Sequence, residues 1–319
     1  MKKPLVSVMI PTYNRPAYCE QAVRSALEQD YSSLEVIVCD NSTNEDTADA
    51  LARFASDRRF CYVRNREART KADNFAPFER LAQGEYLQWL MDDDLLLSGK
   101  ISRMADCLSQ HHDVTLVTSN RRFIDGKGHV LSDCSSFNGV PEPYGVMEGK
   151  LLGREVLMHQ INSIGEPSAV LFRRQDLEHH YWRADCRGYL ALSDMAMWLE
   201  LLEKGDCAVF SQPLSAYRRH EGQEGQQPEV VLLAKLEWFQ LGEESYSQGR
   251  FLDRGAYVRM LESLLDWHER EFGLLASLAS APSIGAYMQG MDMVRERLRQ
   301  LRQGGLTRSY DNAPSFLTT

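Results

Sequence analysis

The stretch LVSVMIPTYNRPAYCEQAVRSALEQDYSSLEVIVCD, residues 5–40, decides the fold. It opens on a β-branched apolar run, LVSVMI at 5–10. The segment RPAYCEQAVRSALEQ then places Tyr18, Ala22, Val23, Ala26 and Leu27 on one helical face, and Pro16 suits the first turn of that helix. A second apolar run, LEVIVC at 34–39, closes the unit. Strand, helix and strand in that order make a β-α-β crossover, the connection that joins parallel strands.

The same alternation continues downstream. STNEDTADALARFA (42–55) reads as a helix, with Thr43 and Asp46 at capping-box spacing and acids in its first turn. FCYVRN (60–65) is a third strand. KADNFAPFERLAQG (71–84) is a helix interrupted by Pro77, and EYLQWLM (85–91) is a fourth strand. SGKISRMADCLSQHH (98–112) is a helix with Ser98 as its cap, and VTLVTS (114–119) begins a fifth strand. This repetition predicts an α/β fold with a mostly parallel, Rossmann-like sheet and helices on both faces. In such sheets ligands sit beyond the carboxyl ends of the strands. Three polar clusters follow strand ends, PTYNR (11–15), DNST (40–43) and DDD (92–94), so all three are expected to face one crevice.

Past residue 120 the pattern loosens. DGKGH (125–129) reads as a hairpin turn and CSSFNGVPEPYG (134–145) as a long loop. SAVLFRR (168–174) restores a strand, and LSDMAMWLELLEKGD (192–206) is an amphipathic helix stopped by Gly205. CAVFSQPLSAYRRH (207–220) reads as short β segments. The polar stretch EGQEGQQPE (221–229) marks a boundary, after which 230–303 is nearly all helical pattern. The expected organisation is an α/β domain over 1–225, a helical region over 226–305 and a flexible tail over 306–319.

The 319 residues are 43% apolar, enough for a sizeable core, and carry a net charge of −9 with no long basic block. Nucleic acid is therefore not an expected partner. The N-terminus lacks the long apolar core of a signal peptide, and no run approaches the ~20 apolar residues that span a bilayer. Seven scattered cysteines without a Cys-x-x-Cys pair fit buried thiols in a reducing, cytoplasmic compartment.

Asp92, Asp93 and Asp94 end an apolar run, where like charges at contact distance repel. They either begin a solvated turn or share a divalent cation, and hard oxygen ligands suit Mg²⁺ or Mn²⁺ held jointly by carboxylates and substrate phosphates. Such a cluster names a metal without naming a reaction.

With the triplet in place, the segments VSVMIPTYNR, VIVCDNST, GEYLQWLMDDDLLLSGKI, GEPSAVLFRR, LSDMAMWLELLEKGD and YRRH, in that order over residues 4 to 225, resemble the family-two glycosyltransferases of GT-A fold. The resemblance implies that Pro11, Thr12, Tyr13, Asn14 and Arg15 line a nucleotide-sugar pocket, that Asp40 accepts from a pyrimidine ring and that Asp92 lies near the ribose. Asp93 is the implied metal ligand, with His220 near the diphosphate or metal. Met91 stands where the family often has its first Asp, which leaves the later carboxylates to serve. Arg69, Lys71 and Asn74 are candidates for donor contact, and Arg218 and Arg219 either neutralise phosphate or are solvated. Asp94 and Glu166 fall on the acceptor side, although Glu166 suits a turn equally well. Asp194 matches the family's general base, while Ser193 and Asp194 also sit where helix-capping residues sit.

The implied activity is metal-dependent, inverting transfer of one sugar from a nucleotide-diphosphate sugar, UDP-linked most commonly, to a hydroxyl of a glycan, lipid-linked glycan, small molecule or protein. Polysaccharide synthases of the family carry spanning helices and a Gln-x-x-Arg-Trp motif, and YWRAD (181–185) is not that motif. Competing readings are a sugar-nucleotide-binding scaffold without turnover, a metal-dependent phosphohydrolase, and a nucleotidyltransferase, whose Gly-rich loop has no counterpart in PTYNRP. The Met- and Leu-rich C-terminal helices, with Trp238, Phe239, Trp267 and Phe272, are expected to pack on the catalytic domain or on a second copy, or to offer a peripheral membrane or acceptor surface.

Overall fold

A computed structural model describes residues 3–134, 136–137, 139–178, 188–223, 225 and 227–303. The YWRAD segment and the expected C-terminal tail lie outside these residues. The N-terminal half runs β1 (Val6–Thr12), α1 (Pro16–Leu27), β2 (Leu34–Asp40), α2 (Asp46–Leu51), β3 (Phe60–Arg64), α3 (Lys71–Phe75), α4 (Phe78–Leu81), β4 (Tyr86–Trp89), β5 (Leu95–Leu96) and α5 (Lys100–Gln110). It continues through β6 (Val114–Ile124), β7 (Val130–Cys134), β8 (Tyr144–Met147), α6 (Gly149–His159), β9 (Leu171–Arg173), α7 (Ser193–Lys204) and β10 (Asp206–Arg218). The helices α8 (Pro228–Ser247), α9 (Arg254–Ala276) and α10 (Ala281–Arg302) complete it.

The strand order is β3-β2-β1-β4-β9-β6-β10-β5, with β7 on β6 and β8 on β10. β1 pairs in parallel with both β2 and β4, and β2 with β3, as the opening β-α-β unit requires. Beyond β4 the sheet becomes mixed, because β9 inserts antiparallel between β4 and β6 while β10 runs parallel to β6. Both faces of β1 are covered, and its side chains alternate between two apolar clusters with the period of two that a strand imposes. Val6, Val8 and Ile10 join Ala22, Val23, Met104 and Leu108 under α1 and α5, while Met9 joins Phe75, Phe78 and Trp89 on the opposite face. That second cluster continues through Phe172 and Trp198 to Leu236, Tyr257 and Val294, so the C-terminal helices share the core of the sheet.

Several local expectations are corrected. α2 starts at Asp46 with no side-chain cap, and the capping box forms instead at α3, where Thr70 Oγ1 accepts from the Asp73 amide at 3.1 Å and Asp73 accepts in return from the Thr70 amide at 2.8 Å. Ser98 does not cap α5, because Gly99, at φ 77°, takes the position before its first turn. Pro77 divides the expected helix into α3 and α4. The short β segments of 207–220 are one strand, β10, with register shifts between Phe210 and Ser215 that absorb Pro213. Of the described cysteines, Cys19, Cys39, Cys107 and Cys207 are buried, Cys134 is half-buried and Cys61 is exposed, all as free thiols. No helix among the described residues is long and apolar enough to cross a membrane.

Candidate active site

The ends of β1, β2 and β4 converge because their strands are adjacent and parallel. Thr12 Oγ1 donates to Asp92 Oδ2 at 2.8 Å, tying β1 to the acidic triplet. The Asn14 amide donates to Ser42 Oγ at 2.7 Å, tying the β1 loop to that of β2. Asn14 adopts φ 53°, a left-handed conformation that Asn tolerates, and its Oδ1 accepts from the Thr43 amide at 2.9 Å. Asn74 spends its amide group inside the frame, donating to the Thr12 and Cys39 carbonyls at 3.3 and 3.0 Å. Pro11 is buried within β1, whereas Tyr13 lies 52% exposed just past the strand end.

The triplet forms a tight turn, closed by the Asp94 amide on the Met91 carbonyl at 3.0 Å, but not a solvated one: Asp92 is 6% and Asp94 1% exposed. Two arginines and a histidine surround it. Arg15 Nη1 reaches Asp92 Oδ1 at 3.2 Å and Asp93 Oδ2 at 3.0 Å. His220 Nε2 lies 3.0 Å from the same Asp93 oxygen. Arg218 is fully buried beneath the turn, donating through its amide to Asp94 Oδ1 at 3.0 Å and through Nε to the Asp93 carbonyl at 2.7 Å. Desolvation, followed by repulsion from Asp93, pushes Asp92 up to about 6. The same two causes raise Asp94 well above the usual carboxylate range, against the lowering influence of Ser168 and the Arg218 amide, and its Oδ2 is buried without a hydrogen-bond partner among the described residues.

Asp93 and His220 make a two-residue donor set of one hard carboxylate oxygen and one imidazole. No group of three or more such ligands occurs among the described residues. This set fits a divalent cation that completes its shell with diphosphate oxygens and water, as Mg²⁺ or Mn²⁺ does in phosphate sites. Arg15 shares the Asp93 oxygen, so it stands where such a cation would bind.

Asp40 is fully buried and already satisfied. It accepts from the Ser42 amide at 2.7 Å, Tyr62 Oη at 2.7 Å and Arg64 Nη1 at 2.5 Å. The Ser42 hydroxyl donates to it as well, at 2.5 Å, so all four acceptor positions are taken and a nucleotide base could bind this carboxylate only by displacing one of those donors. The β2–β3 register, which pairs Asp40 with Arg64, explains the contact. Sequence reading missed both partners, although Tyr62 and Arg64 at i and i+2 on a strand share a face.

Asp194 sits in the first turn of α7, half-buried, and does not cap it in the usual sense. Its Oδ1 accepts from the Met195 amide at 2.8 Å and its Oδ2 from Asn162 Nδ2 at 3.1 Å. Desolvation is the chief cause that pushes this carboxyl up to about 7; Glu166 adds to the rise and Lys71 opposes it. Glu166 is held by Arg121 Nη1 at 2.7 Å, an ion pair of a nearly buried guanidinium, and it also acts electrostatically on Asp94. Glu166 thus acts electrostatically on both Asp94 and Asp194, and the Tyr217 phenol, pushed up chiefly by burial, also feels Glu166, Asp94 and Asp93. Arg69 is exposed beside the Thr70 cap, and Arg219 is exposed over the Phe123 ring at 3.8 Å. Arg121, Asn162 and Tyr217 carried no sequence signal, since their partners lie far away in the chain.

The pattern of glycosyl transferase family 2 matches residues 7–180. A UDP-Glc:alpha-D-GlcNAc-diphosphoundecaprenol beta-1,3-glucosyltransferase, WfaP of Escherichia coli, is 27% identical over 68% of this chain and 78% of its own length. A GalNAc(5)-diNAcBac-PP-undecaprenol beta-1,3-glucosyltransferase of Campylobacter jejuni is 36% identical over 41% of this chain and 38% of its own. The chain spans 21%, 40% and 51% of the length of three further curated glycosyltransferase relatives. Among solved structures, S. aureus TarS 1–349 in complex with UDP-GlcNAc superposes with TM-score 0.59 at 17% identity, covering 94% of this chain and 87% of that one. The mannosyltransferase PcManGT of Pyrobaculum calidifontis, in complex with GDP-Man and Mn²⁺, gives 0.51 at 17% identity, over 94% and 85%. These likenesses show the GT-A fold, and because the family pattern covers more than half of the residues, the chain belongs to glycosyl transferase family 2.

Proposed function

We propose that this glycosyltransferase moves one sugar from a UDP-sugar to an acceptor hydroxyl, with inversion at the anomeric carbon and with a divalent cation, Mn²⁺ or Mg²⁺, at the diphosphate. The observation that carries this reading is the meeting of Asp93 and His220 at 3.0 Å at the strand ends, with Glu166 coupling Asp94 and Asp194 electrostatically. The complexes of TarS with UDP-GlcNAc and of PcManGT with GDP-Man and Mn²⁺ support the donor class and the cation. The printed activities of WfaP and the Campylobacter enzyme make a lipid-diphosphate-linked glycan a reasonable acceptor class.

In this mechanism Tyr13 offers an exposed ring for stacking near the β1 end, and Thr12 and Arg15 orient Asp92 and Asp93. A cation on Asp93 would take the place of the Arg15 contact there, and the Arg15 guanidinium would then be available to the phosphates. Asp93 and His220 would hold the cation, which supplies neutralisation of the charge that develops on the departing diphosphate. Asp194 takes the acceptor hydroxyl proton as the acceptor oxygen bonds to the anomeric carbon and the bond from that carbon to the phosphate oxygen breaks. A carboxylate raised to about 7 is a better proton acceptor at neutral pH than an ordinary one. Asn162 and the Met195 amide keep it aimed.

The test is a thermal-shift series with UDP, UDP-glucose, UDP-GlcNAc and GDP-mannose, each with and without Mn²⁺. Ligand at 100 times its dissociation constant stabilises the native state by ~2.7 kcal/mol. A shift for a UDP ligand that needs Mn²⁺ and disappears in Asp93→Asn is expected. Indifference to every nucleotide in the presence of Mn²⁺ would overturn the reading.

A further inference from the structure

We propose that Glu237, on α8 in the C-terminal helical layer, is a positioning residue for Asp194. It holds the backbone just ahead of α7 and thereby sets where the base is presented. The inference rests on the reading of Asp194 as base.

Glu237 is 2% exposed, in a helix whose neighbouring positions are apolar. Burial raises its pKa, and its three backbone hydrogen bonds lower it in opposition. Its Oε1 accepts from the Leu190 amide at 2.7 Å, and its Oε2 accepts from the amides of Ala191 at 2.9 Å and Leu192 at 2.6 Å. Three consecutive amides converging on one carboxylate form a backbone nest that an apolar side chain could not replace. α7 begins at Ser193 with Leu192 at its N-cap and no side-chain cap of its own, so a residue from another helix anchors the chain at that point. Asp194 follows two residues later, with no slack between anchor and base. A second tie runs parallel to the first: Tyr189 Oη donates to Glu244 Oε1 at 2.9 Å. Glu237 and Glu244 are two helical turns apart and share a face of α8. A misplacement of ~1 Å in a catalytic group can lower turnover ~10²-fold, so a buried carboxylate committed to this segment has a catalytic consequence beyond stability.

The experiment compares Glu237→Gln with Glu243→Gln in the full chain. Glu243 is also on α8 and binds Arg297 and Tyr257, away from the 190–192 segment, so its variant reports general loosening of the helical layer. An amide at 237 retains one acceptor oxygen and turns a donor toward the nest. Amide hydrogen exchange over 190–196 and UDP release from UDP-glucose and UDP-GlcNAc in Mn²⁺, with water as acceptor, are the two measurements. The expected result for Glu237→Gln is lost protection at 190–196 and a turnover lower by ~10–100-fold, with donor KM and UDP affinity held within about twofold. In an Asp194→Asn background the same change adds no further loss, because both act through one group. Glu243→Gln leaves protection at 190–196 and turnover as in the unaltered chain. Intact protection at 190–196 in Glu237→Gln, an equal turnover loss in Glu243→Gln, or full additivity with Asp194→Asn overturns the inference. Undiminished turnover in Asp194→Asn alone instead sinks the base reading, and the exchange data then still decide whether Glu237 anchors the segment.

Discussion

Asp194 shows how burial and chemistry pull on one side chain. Its pKa, about 7 against 3.8 for an ordinary Asp, places its ionisation inside the working pH range. The proposed base role requires it ionised, so kcat/KM is expected to fall as pH drops below about 7 and to level off above it, and a pH–rate profile checks this. Asp194→Asn is expected to lower turnover by ~10²–10⁴-fold while UDP binding, read by calorimetry, stays intact. The stability consequence has the opposite sign. Between about pH 4 and 7 the native state keeps a proton that the unfolded chain has released, so stability falls as pH rises through that window. Asp194→Asn should therefore stabilise the fold by up to a few kcal/mol at pH 8, read as a higher melting temperature, and gain nothing near pH 4. Lys100 offers the mirror case. It is fully buried, donates to the Ala169 carbonyl at 2.7 Å, and is pushed down to about 7 by desolvation. From about pH 7 to 10.5 the unfolded chain holds the extra proton, so stability rises with pH in that range. Lys100→Met is expected to stabilise most near pH 6 and progressively less toward pH 10, in a series of melts.

At the level of elements, turn geometry decides where the site groups fall. Gly165 adopts φ 122°, a conformation that side chains rarely take, and a Cβ there would lie 2.8 Å from that of Ala169. Its carbonyl accepts from Trp198 Nε1 at 3.1 Å and its amide donates to Asn162 Oδ1 at 2.8 Å, the same Asn162 that holds Asp194. Gly165→Ala is expected to cost ~1–3 kcal/mol in denaturant melts and to reduce turnover as well, because the loop is shared with the proposed base. The division of α3 from α4 at Pro77 follows from its missing amide donor. The capping box then forms at Thr70 and Asp73, since it needs an extended residue before the first turn, and Thr70 is extended with ψ 167°.

On the scale of the whole molecule, the helical layer is part of the core. α8 alone buries Leu232, Leu236, Trp238, Phe239 and Leu241, against a cluster that includes Trp198 and Phe172. Each such side chain contributes ~1.5–3 kcal/mol when fully buried, and the total rivals the ~5–15 kcal/mol of a typical domain. A chain ending at Gln227 is therefore expected to lose its cooperative thermal transition and to bind a hydrophobic dye, even though the family pattern ends well before that point.

The sequence by itself determined the order of the main strands and helices in the first half, the meeting of three polar clusters at the strand ends, and the family. These follow from short-range periodicity and from motifs whose residues are neighbours in the chain, as in Asp92 to Asp94. Only the tertiary structure decided that β9 enters antiparallel, that Arg15 rather than solvent faces the triplet, that Asp40 is spent on Tyr62 and Arg64, and that Glu237 braces the segment before Asp194. Each of those contacts joins residues more than twenty positions apart, and a local pattern carries no information about which distant donor will meet a buried acceptor. What selects the pair is the cost of leaving either group unsatisfied once the core has closed around it.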